Sequence, residues 1–391
     1  MRYSTRAITA NLREAARAFP ALVVTGPRRS GKTTVLRRVF PDAGYWLLEE
    51  PDVLARFRAD PRGFVDSLKP PVILDEIQNA PELFAWVRAR IDAEPTRKGR
   101  WLLTGSQEAP LMQDVAESMA GRAAIFQLLP LSTQENAKVS VLRGGFPEVL
   151  ASPRTADVWF RSYVHTYLER DVRAVTGVRD LVTFRRFVGL VASRCGQVLH
   201  RSDLAAPLGV SVPTIGQWLS VLEVTGQVLL VPPYFDSFGK RLVKSPKVYF
   251  ADTGLLCHLL GIGSTNALDE SPFLGAVFES FVASELVKAQ IGSGRRRELY
   301  WFRDQQGLEV DFVLPASGGR LLLCEAKATR TAVPDDARAM LRLRNAIGDR
   351  VQQCLLVHRP SASSPRSDVL APGVEAVDLP GLLRRFERAM P

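Results

Sequence analysis

The octapeptide GPRRSGKT at residues 26–33 constrains this chain more than any other stretch. It fits G-x-x-x-x-G-K-[ST] at every fixed position. It lies between the apolar run PALVVTG (20–26) and the helix-compatible run TTVLRRVF (33–40). A strand that feeds a glycine-rich turn and then a helix is the setting in which this pattern has a mechanism. The glycines let backbone N–H groups wrap phosphate oxygens, and the helix N-terminus adds positive potential. Residues Gly26, Pro27, Arg28, Arg29, Ser30, Gly31, Lys32, Thr33 and Thr34 thus read as a nucleotide-binding loop. Lys32 is expected to contact the β- and γ-phosphates of ATP, and the Thr33 hydroxyl to ligate Mg2+.

A partner motif follows at PPVILDE (70–76), an apolar strand ending in two carboxylates. Asp75 is positioned to help hold Mg2+ through water, and Glu76 to orient or deprotonate the attacking water. The next strand ends in LLTGSQ (102–107), where Thr104 or Ser106 could sense the γ-phosphate. Arg122, in MAGRAA, is read as an arginine finger or sensor, with Arg170 in YLERD as another candidate. A surface salt bridge is an equal alternative for each arginine. A finger supplied in trans would require a homo-oligomer, and Arg122 could equally act in cis.

Five strand-like runs are expected over the first 130 residues, at 20–26, 45–49, 71–76, 100–105 and 123–129. Helical stretches separate them; in one, Leu83, Trp86, Val87 and Ile91 share a face. Such alternation predicts a parallel sheet covered on both sides. A length of 391 residues exceeds one ordinary core and predicts two or three domains. Lys plus Arg exceed Asp plus Glu by 51 − 41 = 10, which favours polyanionic partners, DNA among them. No cysteines form a CxxC pair and the four histidines are scattered, so a zinc ribbon or His-based metal cluster is not indicated. No apolar run reaches the ~20 residues needed to span a bilayer, and the first residues show no signal core. A cytoplasmic protein is expected.

Residues 137–200 read as mostly helical. Residues 202–234 read as helix, turn at Gly209, second helix from about Ser211, then a β-wing around VLLV, with Leu204, Leu208, Ile215, Leu219 and Leu222 as a small core. The second helix contains neither Lys nor Arg, so DNA contact and domain packing stand as equal readings. Lys240, Arg241, Lys244 and Lys247 could contact phosphates instead.

GPRRSGKTT, VILDEIQ, LLTGSQ, MAGR, GGFPE and YLERDVR together resemble the AAA-like P-loop ATPases with a C-terminal DUF4143 domain. The resemblance covers nearly the whole chain. It implies a RecA/AAA-like (ASCE) parallel sheet, a helical linker with a winged helix, and a restriction-endonuclease-like α/β domain. The expected boundaries are 1–136, 137–200, 201–235 and 236–391.

The C-terminal segment is similar to a PD-(D/E)xK nuclease core. GAVFESFVASELVKAQ (275–290) predicts an amphipathic helix with Glu279 at its apolar border, followed by strands LEVDFVL (308–314) and LLLCEAK (321–327). Asp311 and Glu325, assisted by Glu279, are the expected Mg2+ ligands, because this hard ion takes carboxylate oxygens. Lys327 is the expected catalytic lysine, positioning the attacking water. Period-two alternation puts Glu325 and Lys327 on one face. Asp311 joins them only in one of two hairpin registers: pairing Leu314 with Leu321 sets it opposite Cys324, and a one-residue shift sets it opposite Glu325. A nuclease-like fold without cutting activity is the alternative.

Overall fold

The computed structural model describes residues 3–105, 119–168, 181–234, 245–360 and 367–390. Ser106, Arg170, Lys240, Arg241 and Lys244 lie outside the described residues.

The N-terminal unit is a five-stranded sheet whose strand pairs, among the described residues, all run parallel. Its strands are β1 (Ala21–Thr25), β2 (Gly44–Leu47), β3 (Val72–Asp75), β4 (Trp101–Thr104) and β5 (Ala123–Gln127). Strands β1, β3 and β4 are buried along their whole length, which is why they read as continuous apolar runs. Alternate residues feed two cores. Leu22, Val24, Ile73 and Leu102 pack with α1 (Thr9–Ala18) and α2 (Lys32–Val39). Val23, Leu74 and Leu103 pack with α3 (Pro51–Ala59), α4 (Pro61–Ser67) and α5 (Leu83–Ala93). The strand order is β2-β3-β4-β1-β5, so β4 separates the loop-bearing strand from the strand ending in Asp75.

The middle segment holds α6 (Pro147–Ala151), α7 (Ala156–Tyr163), α8 (Leu181–Ser193), α9 (Arg201–Leu208) and α10 (Val212–Val224). Gly209 turns the chain between α9 and α10 at φ 64°, a left-handed conformation suited to glycine. The Ser211 side chain caps α10 by accepting from the Thr214 N–H at 3.2 Å. The apolar face of α10 is buried, with Trp218 against Phe184 and Phe187 at ring distances of 5.4 and 5.2 Å. Of the five residues expected in this core, Leu208 is only partly buried. A two-stranded antiparallel ribbon follows, formed by β6 (Val228–Val231) and β7 (Lys247–Phe250). The ribbon therefore crosses the boundary drawn at residue 235, because β7 belongs with β6.

The C-terminal unit contains α11 (Thr253–Leu259), α12 (Thr265–Asp269) and α13 (Leu274–Gly292). Next come β8 (Tyr300–Arg303), β9 (Glu309–Ala316), β10 (Arg320–Ala326), α14 (Arg338–Ile347), β11 (Val351–Val357), β12 (Ser367–Ala371), β13 (Val374–Val377) and α15 (Leu379–Ala389). The six strands form a mixed sheet in the order β12-β13-β11-β10-β9-β8. Helices α13 and α15 share a core with one face, through Phe312, Leu322, Cys324 and Leu355. Helix α14 packs on the other, through Leu321, Leu323, Met340 and Leu343.

Helix α13 is not the half-exposed amphipathic helix its sequence suggests, since every residue from Ser280 to Gln290 is buried. Its polar side chains find partners inside the protein. Ser284 donates to the Ala251 carbonyl at 2.6 Å, and Glu285 accepts from the Thr133 N–H at 2.8 Å. One continuous core thus joins the middle segment, the ribbon and α13.

Candidate nucleotide site and the C-terminal carboxylate cluster

The phosphate-binding loop leaves β1 through Gly26, whose φ is 141°. A Cβ there would stand 2.3 Å from the Leu128 carbonyl oxygen, so only glycine fits. The Lys32 ammonium is buried and donates to the carbonyls of Gly26 and Pro27 at 3.1 and 3.0 Å. A cavity of about 660 Å³ opens over the loop. It is lined by Arg28 through Thr34, Glu76 and, from the middle segment, Pro147 and Glu148.

Behind Thr33 stands Asp75, 3% exposed. Its carboxylate accepts from the Thr33 hydroxyl at 2.8 and 3.1 Å and from the Tyr45 hydroxyl at 2.8 Å. The Thr104 hydroxyl donates to the same carboxylate and accepts from the Glu76 N–H at 3.3 Å. Burial raises the Tyr45 phenol, and its bond to Asp75 adds to the effect. Glu76 sits in the left-handed region at φ 56°, ψ 49°, which costs a non-glycine residue roughly 1 kcal/mol or more. The strain turns its side chain into the cavity. There Gln78 donates to the carboxylate, and the Arg28 guanidinium stands 4.0 Å away. The paired hard oxygen donors of Thr33 and Asp75 fit Mg2+.

Arg122 adopts the surface salt bridge that was the alternative to a finger. It lies at the start of β5, where its carbonyl accepts from Ala21 N–H, and its guanidinium pairs with Asp92 at 2.6 and 3.0 Å. Five residues at about 3.3 Å each put it roughly 16 Å from the loop end of the sheet, so no finger role in cis is available.

Three residues at the nucleotide site escaped the sequence reading. Tyr45 is one. Arg6, 6% exposed, donates to Ser30 and Leu129 carbonyls at 2.8 and 2.5 Å and pairs with Glu135 at 3.0 Å, stapling the loop to the segment after β5. Glu148 faces Arg29 at 3.7 Å, and burial raises its carboxyl. GGFPE carried that last signal as a glycine-rich turn ahead of a lone carboxylate.

In the C-terminal unit the hairpin register is Leu322↔Leu314 through Cys324↔Phe312. Continued by one residue, it sets Asp311 opposite Glu325. Asp311 accepts from the Ala326 N–H at 3.0 Å. Lys327 donates to Glu325 at 3.2 Å. Burial and Asp311 hold the Glu325 carboxyl well above its ordinary range, with Lys327 opposing. These three residues border an open groove of about 460 Å³ that also has Arg338 and Arg342 on its wall.

Glu279 is held by the ribbon. Its Oε1 is taken by Lys247 at 3.1 Å and by the Tyr249 hydroxyl. Among the described residues no group of three or more His, Cys, Asp or Glu side chains is arranged to hold a metal ion. Nor does Lys247 face solvent for phosphate contact, since it is 2% exposed.

A parallel sheet with a glycine loop, a part-buried threonine–aspartate pair and an adjoining glutamate defines an ATP-binding P-loop protein. Residues 18–137 match an AAA domain, residues 134–266 a domain of unknown function (DUF8612), and residues 274–380 another (DUF4143). An uncharacterized protein of Mycobacterium tuberculosis is 34% identical over 374 residues, 93% of this chain and 82% of that one. An uncharacterized protein of Mycobacterium bovis matches at the same identity and coverage. The chain belongs to the family of AAA-type P-loop ATPases with a C-terminal DUF4143 domain. Among solved structures, a Walker-type ATPase of Pyrococcus abyssi aligns over 64% of this chain and 94% of its own, at 16% identity and TM-score 0.45. The RuvB Holliday junction branch migration motor of Thermotoga maritima aligns over 57% and 89%, at 15% identity and TM-score 0.29. No helix among the described residues is long and apolar enough to cross a membrane.

Proposed function

We propose that the protein is a Mg2+-dependent ATPase whose nucleotide state is passed to its C-terminal half. The observation that carries this reading is the Thr33–Asp75–Thr104–Glu76 network beside Lys32. Lys32 neutralises the β- and γ-phosphates once ATP displaces its carbonyl partners. Thr33, with Asp75 through water, would hold Mg2+, which supplies further neutralisation of phosphate charge. Glu76 orients the attacking water and accepts its proton. A Cβ at Gly226, in the turn between α10 and β6, would meet the Pro27 ring at 3.0 and 3.1 Å. That close approach sets the loop beside the turn that leads into the ribbon. Nucleotide binding is tested by equilibrium titration of ATP with Lys32→Ala, and turnover by phosphate release with Glu76→Gln. Ordinary hydrolysis by Lys32→Ala would refute the assignment.

A second reading concerns what the C-terminal half does. Asp311, Glu325 and Lys327 come together beside a groove lined by Glu309, Asp335 and Asp336 as well as Arg338 and Arg342, and that trio is what supports reading a DNA-acting, metal-dependent nuclease here. Plasmid cleavage lost in Asp311→Ala and Lys327→Ala supports it. A salt-sensitive, ATP-dependent gel shift without cleavage supports a binding module on an inactive scaffold instead.

A further inference from the structure

The C-terminal cluster contains a cation already, and the chain itself supplies it. Lys247 opens β7, in the ribbon of the middle segment, yet its Nζ reaches across to the C-terminal sheet. It stands 2.6 Å from Glu309, 3.1 Å from Glu279 and 3.6 Å from Asp311, and 5.5 Å over the ring of the buried Trp301. Its side chain is 3% exposed, against 13% for Asp311. Three carboxylates drawn from α13 and β9 therefore converge on one desolvated ammonium. Burial by itself would weaken that charge, but Glu279, Asp311 and Glu309 outweigh it and hold the lysine above its usual range. Asp311 in turn stands opposite Glu325, the other expected ligand, in the hairpin register. A divalent ion seated between Asp311 and Glu325 would lie beside the fixed positive charge of Lys247, and like charges at such range repel strongly in a site of low dielectric.

We propose that Lys247 is the cation of this cluster: delivered by the ribbon, it occupies the electrostatic role of a divalent ion and keeps Asp311 and Glu325 from binding one while it is in place. The turn that leads into the ribbon, at Gly226, lies close to Pro27 of the phosphate-binding loop. The cluster is then a charge-paired junction between the middle segment and the mixed sheet.

The test is a Mn2+ titration of the nucleotide-free full chain, read from the electron paramagnetic resonance signal of free Mn2+. Four proteins are compared: the parent, Asp311→Asn, Lys247→Met, and Lys247→Met with Asp311→Asn. The parent and Asp311→Asn are expected to superimpose. Lys247→Met is expected to bind Mn2+ at least about tenfold more tightly than the parent at a site the double variant loses. Asp311-dependent uptake by the parent would overturn the proposal, and so would a folded Lys247→Met protein with no gain. If Lys247→Met does not fold, the parent and Asp311→Asn curves decide: superposition upholds the proposal and separation overturns it.

Discussion

Thr104→Val isolates the bridge between the two carboxylates of the nucleotide site. Thr104 is fully buried, its hydroxyl donates to Asp75, and it accepts from the Glu76 N–H at 3.3 Å. Valine keeps the volume and the β-branched shape that suits β4, so no cavity term enters. What is lost is one bond to an ionised carboxylate, together with the partner of a part-buried N–H. An unsatisfied buried group costs about 1–3 kcal/mol, and a bond to a charged group contributes about 1.5–3 kcal/mol. Asp75 keeps Thr33 and Tyr45 as donors, so the two losses do not add in full, and the net cost is about 2–4 kcal/mol. If about 1.4 kcal/mol of that appears as misplacement of Glu76 in the transition state, turnover falls about tenfold. The cavity is lined by other residues, so ATP affinity is expected to stay within about threefold, or ~0.7 kcal/mol. Urea unfolding and steady-state phosphate release measure the two effects. A variant within about 0.5 kcal/mol of the parent and with unchanged kcat would refute this reasoning, since that is the size expected of a surface change.

Arg6→Ala leaves Glu135 without its buried partner and two carbonyls without a donor; unfolding free energy is expected to fall by about 3–5 kcal/mol in urea denaturation. Gly26→Ala forces a methyl to within 2.3 Å of the Leu128 carbonyl, and a fluorescent ATP analogue is expected to show no binding to the folded fraction. Glu76→Gln keeps the shape and removes the base: ATP binding is expected to persist while kcat drops about a hundredfold or more.

The centre of the N-terminal sheet was legible because β1, β3 and β4 are buried on both faces and so stand out as short apolar runs between polar helices. The loop and its carboxylates were legible because their chemistry fixes spacing within a few residues of one strand end. Arg122 was not, since its partner Asp92 comes from a helix thirty residues earlier that no local pattern links to it. Tyr45, Arg6 and Glu148 reach the site from elements distant in sequence, and no local pattern marks them. Helix α13 misled for a related reason. Its serines, Glu285 and Lys288 look like a solvated face, but each meets a partner inside the fold. The register that unites Asp311 with Glu325 was one of two the hairpin allowed, and packing on both faces of the sheet selects it. Lys247 looked like one more basic residue near a ribbon, although it heads KVYF, a strand that is otherwise apolar and wholly buried.

The central claim is that the loop at 26–33 binds ATP through Lys32 and turns it over with Glu76. Its most direct measurement is Mg2+-dependent phosphate release by the parent and by Lys32→Ala, side by side with ATP titration of both. The expected result is turnover in the parent that stops when Mg2+ is chelated, with loss of both binding and turnover in Lys32→Ala. Lys32→Ala hydrolysing ATP at the parent's rate would contradict it.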